Sequence, residues 1–112
     1  MKELVFFDLP KISNNQFYAG IHWTRRRKIK DAFVFKVYEQ LPKRFKQIGK
    51  PCNTEYYLEF KSRALDASNC VGMIKILEDV LFADDSPKIV KSVLISSKKS
   101  KLEKVTVRII PI

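Results

Sequence analysis

Acidic residues are concentrated in one stretch of an otherwise basic chain. Five of the twelve acids fall between positions 66 and 85, namely Asp66, Glu78, Asp79, Asp84 and Asp85. Carboxylates and a phosphodiester can share a Mg²⁺ ion, which prefers hard oxygen ligands and keeps several waters. Such an ion offsets charge on the phosphate and activates water for in-line attack. One interpretation of the cluster is therefore metal-assisted phosphodiester chemistry.

Each acid of this cluster also has a purely structural interpretation. Asp66 and Ser68 suit the N-cap of a following helix. Asp79 comes four residues after Lys75, so the two side chains would form an ion pair on one helix face. The run DDSP at positions 84–87 has the composition of a turn. Residue types alone leave both interpretations open.

The distance across the acidic stretch bears on this choice. A helix of about thirteen residues is expected between Asp66 and Asp85, and it would be about 20 Å long. The two carboxylates meet only if the strand after Asp85 returns beside the strand before Asp66, or if they belong to two copies of the chain in a dimer. Periodicity does not select one arrangement.

The rest of the chain is strongly basic. Its 112 residues include 22 Lys and Arg against 12 Asp and Glu, a formal net charge of +10. This charge attracts polyanions, with nucleic acid as the leading partner and an anionic membrane surface as the second. A domain that is simply basic is the alternative. No apolar run approaches the ~20 residues of a membrane span, so no transmembrane segment is expected.

The two cysteines do not indicate a metal site. A structural zinc needs four ligands, and besides Cys52 and Cys70 the chain has one histidine, His22. His22 is expected to form structural hydrogen bonds, and Cys70 to lie in the core. The first residues lack the features of an export signal, so we expect a cytoplasmic protein with free thiols.

Apolar patterning predicts a single α+β domain over residues 1–112. The expected strands cover 3–8, 54–61, 89–96 and 104–110. The expected helices cover 23–41 and 70–82. The polar stretch 97–103 predicts a hairpin with a basic tip between the last two strands. The order β-loop-α-β-α-β-β fits one mixed sheet with two helices packed on it, but the strand order does not follow from it.

The apolar faces of the two helices follow from their spacing. In the first helix, apolar residues recur every four positions, and Thr24 is the expected N-cap. Trp23 begins this face and is therefore expected in the core. In the second helix, the expected inner face is Met73, Leu77 and either Val80 or Leu81. The expected core positions of the first helix are Ile29, Phe33, Val37 and Leu41.

Three short stretches form a recognisable set. They are LP and SNN at 9–15 with an aromatic pair at 17–18, LDASN at 65–69 ahead of a lysine at 75, and DDS at 84–86 before a strand. In this order, and over nearly the whole chain, they resemble the RusA-like Holliday junction resolvases, which are small endodeoxyribonucleases of bacteria and their phages.

The resemblance implies a homodimer that binds branched DNA, the four-way junctions of recombination and repair. It implies cleavage by paired symmetric nicks with Mg²⁺, for which Mn²⁺ is a possible substitute, and neither a small-molecule cofactor nor a membrane partner. Carried over residue by residue, Asp66, Lys75 and Asp85 are the expected catalytic residues. Lys75 would hold a phosphate oxygen or offset transition-state charge. The expected metal ligands are Asp66, Asp84 and Asp85.

The sequence departs from the family pattern at one carboxylate. Many relatives have Asp-x-Asp-Asn, whereas this chain has Ser68 between Asp66 and Asn69. The spacing from Asn69 to Lys75 is also longer. The second hypothesis is therefore a non-catalytic, basic nucleic-acid-binding module, a resolvase relative whose metal site has decayed.

DNA contacts are expected from the first loop and the first helix. Asparagines can bond phosphates or base edges, and an exposed tyrosine can stack on an unpaired base. Three successive arginines on a helix cannot all face the core, and in so basic a chain phosphate contact is favoured over a merely solvated face. The expected DNA-binding residues are Asn14, Asn15, Tyr18, Arg25, Arg26, Arg27 and Asn69.

Overall fold

The chain folds as one four-stranded sheet that carries two helices. The computed structural model describes residues 1–14, 22–84 and 86–112. The strands are β1 (Lys2–Phe7), β2 (Cys52–Phe60), β3 (Val90–Lys99) and β4 (Lys104–Pro111). The helices are α1 (Trp23–Gln40) and α2 (Val71–Leu81), and a 3₁₀ turn (Ala67–Cys70) leads into α2. The predicted α+β class and element order are confirmed.

The strands lie in the order β1-β4-β2-β3. β4 is antiparallel to both β1 and β2, whereas β2 and β3 are parallel. The predicted hairpin between β3 and β4 is therefore wrong, because β2 lies between them. Their connection passes the end of β2, where the Ser100 N–H donates to the Phe60 carbonyl (2.8 Å). Helix α2 returns the chain to the end of the sheet where β2 begins, so β3 runs parallel to β2 along one side of it. β4 then pairs with the other side of β2.

One face of the sheet is buried and the other is polar. Alternate side chains point to opposite faces, so every second residue of β2 lies under the helices. On the open face, Arg108 lies 3.7 Å from Glu3 and 3.5 Å from Glu55 across three neighbouring strands. Lys104 likewise lies 3.8 Å from Glu59. These ion pairs are partly exposed and balance positive against negative charge on the open face.

The two helices differ in how much they bury. Every residue of α2 is buried except Val71, Lys75 and Asp79, and the predicted inner face is confirmed. In α1 only Phe33 and Val37 are fully buried. The other expected core positions, Ile29 and Leu41, are half-buried against the same core.

Trp23 is 63% exposed, so its predicted core position is wrong. It precedes Phe33 by ten residues, which at 100° per residue turns it about 80° away from that side chain. The helix begins at Trp23, as predicted, but its N-cap lies two residues before the expected Thr24. His22 is the N-cap, and its Nδ1 accepts from the Thr24 N–H (3.3 Å).

The two edges of the sheet are unequal. At β1, the side-chain amide of Gln40 accepts from the Phe7 N–H (2.6 Å) and donates to the Phe7 carbonyl (2.7 Å). Helix α1 therefore covers part of that edge. β3 forms the other edge, where no described residue pairs as a further strand. Among the described residues, no helix has both the length and the apolar character to cross a membrane.

Candidate functional site

A polar cleft of about 280 Å³ opens where β2 ends. Two cations, Lys11 and Arg63, line it together with the carboxylate of Asp66 and the amide of Asn69. The C-terminal ends of parallel strands are a common place for ligand sites. The cleft therefore presents hydrogen-bond donors, positive charge and one acid to a ligand of the phosphate type.

Lys11 is held in position by the segment that follows β2. Its Nζ donates to the Arg63 carbonyl (2.8 Å) and to Ser62 Oγ (3.3 Å). The same ammonium lies 5.9 Å from the centre of the Phe60 ring. The contacts order the 61–63 segment, and Lys11 remains exposed at the cleft. Sequence analysis missed Lys11 and Arg63, although the position of Arg63 just after a strand could have indicated it.

Asp66 lies at the start of the 3₁₀ turn. Its backbone carbonyl accepts from the Asn69 N–H (2.8 Å) and from Cys70 Sγ (3.5 Å). Its carboxylate forms no capping hydrogen bond, so capping does not account for this side chain. Ser97 of β3 donates to the neighbouring Leu65 carbonyl and ties the turn to the sheet. The carboxylate is therefore exposed on an ordered support.

Cys70 lies in the core beneath the cleft, as predicted, and is a free cysteine. Burial raises the pKa of its thiol, a hydrogen bond with Ser97 opposes this, and the nearby charge of Asp66 raises it further. Cys52 is also free and buried, and burial raises its pKa too. Both side chains therefore stay protonated thiols at neutral pH.

Asn14 holds the start of α2. Its Nδ2 donates to the Ser68 carbonyl (3.0 Å), and its Oδ1 accepts from the Gly72 N–H (2.7 Å). The residue at the N-cap of α2, Cys70, provides no side-chain cap, so Asn14 supplies one from a distant loop. Its expected contact with DNA stays a prediction. Asn15 and Tyr18 lie outside the described residues.

Asp84 lies beyond the other end of α2. Its Oδ1 accepts from the Ser86 N–H (3.0 Å), which is the turn chemistry that its sequence indicated. The eleven residues of α2 span about 16 Å between Asp66 and Asp84. Because β2 and β3 are parallel, β3 begins at the end of the sheet opposite Asp66. Asp85 lies outside the described residues.

The described residues of one chain do not assemble a metal site. Among them, no group of three or more His, Cys, Asp or Glu side chains could hold an ion. Within the described part, Asp66 is the one carboxylate lining the cleft. Mg²⁺ is usually bound by one or two carboxylates together with substrate phosphates and waters. Asp66 fits as one such ligand, and a second carboxylate would have to come from outside the described cleft.

Lys75 faces a different opening from Asp66. It is exposed on α2 and lines a cleft of about 290 Å³ between α2 and β3, together with the buried Glu78. The alternative ion pair with Asp79 is replaced by a pair across the helices, because Asp79 lies 3.6 Å from Lys30 of α1. The catalytic role of Lys75 stays a prediction. Within one chain, Lys75 and Asp66 line different clefts.

Helix α1 and the loop after it form the most basic part of the chain. Residues 22–50 contain ten Lys and Arg against two acids, so they account for most of the net charge. Arg25 and Arg27 are exposed, whereas Arg26 is half-buried. Two of the three expected arginines are therefore accessible to a phosphate backbone.

Comparisons with known proteins do not assign the chain to a family. No protein-family model matches it, and neither curated proteins nor solved structures provide a significant match. The RusA-like resemblance therefore rests on the motifs of this sequence, and the activity that it implies stays a prediction.

Proposed function

We propose that this protein binds branched DNA and cuts four-way junctions as a homodimeric, Mg²⁺-dependent endodeoxyribonuclease of the cytoplasm, acting in recombination and repair. The observation that carries the proposal is the exposed Asp66 carboxylate in a cleft with Lys11 and Arg63. The two cations offset phosphate repulsion and bring a DNA backbone to the acid. A carboxylate on a DNA-binding surface repels phosphate unless a cation lies between the two groups.

The proposed active site combines residues of two chains. If β3 pairs antiparallel with β3 of a second copy, the C-terminal end of one strand lies beside the N-terminal end of the other. Asp66 would then share one side of the two-fold axis with Asp84 of the partner subunit, and Asp85 is the next residue in the sequence. This arrangement supplies the second carboxylate that one chain lacks. Bound Mg²⁺ would offset phosphate charge and activate water, while Lys11 and Arg63 orient the phosphate.

The sequence of β3 suits self-pairing. Val93 is 44% exposed and Leu94 is 48% exposed at this edge. A register centred on Leu94 would place it opposite its own copy and Val93 opposite Ile95. In the same register, Lys91 faces Ser97, so no lysine of β3 lies opposite another lysine. A two-fold interface of this kind is closed and self-complementary.

The first experiment is cleavage of a labelled synthetic four-way junction with Mg²⁺ or with EDTA. We expect paired symmetric nicks that require Mg²⁺ and are lost in Asp66→Asn. Junction binding should persist, because removing negative charge does not weaken attraction to phosphate. Asp79→Asn is the matched control, since it removes an exposed acid in the last turn of α2 that does not line the cleft. Wild-type rates in Asp66→Asn would refute the site assignment.

Complementation tests the shared site directly. When Asp66→Asn and Asp85→Asn chains are mixed, each mixed dimer contains one site with both aspartates and one site with neither. Two individually inactive variants should therefore recover unpaired nicks. A site built within one chain would give no recovery. Leu94→Lys should yield monomers by light scattering and abolish the recovery, since it places a charge at the centre of the interface.

A non-catalytic module is the second candidate, favoured because Asp66 lacks a neighbouring carboxylate within the described cleft and Ser68 replaces a motif aspartate. This candidate predicts metal-independent junction binding and no cleavage by the wild type. Cleavage that appears only in Ser68→Asp would identify a decayed metal site. Cleavage by the wild type would exclude the non-catalytic candidate.

A further inference from the structure

Three aromatic side chains lie exposed on helix α1. Trp23 and Phe35 are each 63% exposed, and Tyr38 is 59% exposed. An apolar side chain of this size gains about 2 kcal/mol when it is buried, so three on one helix require an explanation. The described residues of the chain leave them uncovered.

The three aromatics share one side of α1. At 100° per residue they fall within an arc of roughly 120° that has Tyr38 at its centre. The buried residues Phe33 and Val37 lie outside this arc. Along the helix axis, Trp23 and Tyr38 are about 22 Å apart. We call the three residues, with the helix surface between them, the aromatic face.

The surroundings of this face are basic. Arg27 and Lys28 are exposed on the same side of α1, and the loop after the helix adds Lys43, Arg44 and Lys46. The acids Asp31 and Glu39 are exposed on this side too, so these cations outnumber the acids five to two. Residues 22–50 contain ten bases against two acids. A second copy of the same face would be repelled by this charge, whereas a polyanion would be attracted. Aromatic rings interleaved with cations are the pattern that binds single-stranded nucleic acid.

We propose that the aromatic face of α1 stacks unpaired bases of a nucleic-acid strand while the adjacent cations hold its phosphates. The proposal rests on the DNA-binding part of the proposed function and adds a preference for unpaired nucleotides. Bases paired within a duplex are stacked on one another and cannot reach these rings. Frayed or open strands at a branch point would be the ligand.

Trp23 provides the readout, because it is the only tryptophan of the chain. The full-length protein is titrated with an oligo(dT) of about 16 nucleotides, which is long enough to span the aromatic face. Heparin serves as a polyanion without bases. We expect oligo(dT) to quench Trp23 emission and heparin to bind without quenching. Equal quenching by both ligands would overturn the proposal, since charge alone would then explain the signal.

Substitutions at Phe35 separate stacking from general hydrophobicity. By anisotropy of labelled oligo(dT), Phe35→Leu should weaken binding at least about fivefold. Phe35→Trp should keep wild-type affinity, and Phe7→Leu is the control at an exposed aromatic on the open sheet face. Binding of blunt duplex should change less than about twofold. Undiminished oligo(dT) binding in Phe35→Leu would refute stacking and leave a protein partner as the explanation of this face.

The outcomes distinguish this proposal from the nuclease proposal. Junction cleavage without oligo(dT) quenching would leave the nuclease standing and refute the aromatic face as a stacking site. Quenching without cleavage under any metal would support the aromatic face and favour the non-catalytic module. Circular dichroism of each variant verifies that an affinity change is not a loss of folding.

Discussion

Replacing Asn14 by alanine tests whether this residue acts on DNA or on the fold. The change removes the Oδ1 that accepts from the Gly72 N–H and the Nδ2 that donates to the Ser68 carbonyl. Losing a helix cap costs about 1 kcal/mol, and losing a second hydrogen bond costs about 1 kcal/mol more. We therefore expect Asn14→Ala to lower the free energy of unfolding by about 2 kcal/mol.

The assay measures stability and binding on the same samples. In a domain of this size, 1 kcal/mol corresponds to about 4 °C in Tm, so Tm should fall by about 8 °C. Below the transition, a junction affinity that changes less than about twofold would mean that Asn14 acts on the fold alone. Asn14→Asp is the matched variant, because it keeps the acceptor for Gly72 at a helix N-terminus that favours negative charge. It should lose only about half as much stability.

The opposite result would contradict the proposed capping role of Asn14. If Asn14→Ala left the free energy of unfolding within about 0.5 kcal/mol of the wild type and weakened junction binding tenfold, Asn14 would be a DNA contact. The capping argument would then be wrong, and the bonds to Ser68 and Gly72 would contribute little.

Three further predictions concern the fold. Gln40→Ala should destabilise the protein by about 1–2 kcal/mol in urea unfolding, because it uncovers the Phe7 N–H and carbonyl at the β1 edge; an unchanged midpoint would contradict this. Burial, reinforced by Glu78, raises the pKa of Tyr56. The folded state therefore keeps that proton, and stability present below about pH 10 is lost as the pH rises further. Tyr56→Phe should flatten this alkaline loss, and an equally steep loss would exclude Tyr56 as its source. Asp79→Asn should cost less than about 0.5 kcal/mol, because its ion pair is half exposed; a larger loss would show that the pair matters more than exposure suggests.

Part of the architecture could be predicted from local pattern. Alternation in β2 and β4, and the dense apolar content of α2, depend only on side chains within each segment. They indicate backbone type because a strand repeats every two residues and a helix every 3.6. The α+β class, the order of elements and the inner face of α2 were therefore predictable, as was the basic character of the chain.

The placement of neighbours could not be predicted in this way. β3 and β4 follow each other in sequence and both suit a strand, which favours a hairpin, yet β2 separates them. Pairing depends on backbone hydrogen bonds between distant segments, and these leave little trace in side-chain periodicity. The same limit explains Trp23, whose apolar character predicted burial although the helix turns it to solvent.

The residues of the candidate site also differ in whether they could be predicted from local sequence. Asp66 and Asn69 were identified from the sequence, because their motif is local. Lys11 and the capping role of Asn14 became evident only from the tertiary structure, since each depends on two segments about fifty residues apart meeting beyond β2. The separation of Asp66 from Asp84 was likewise decided by the parallel pairing of β2 and β3. The sequence thus determines which chemical groups are present, whereas the pairing of the strands determines which of these groups lie close together.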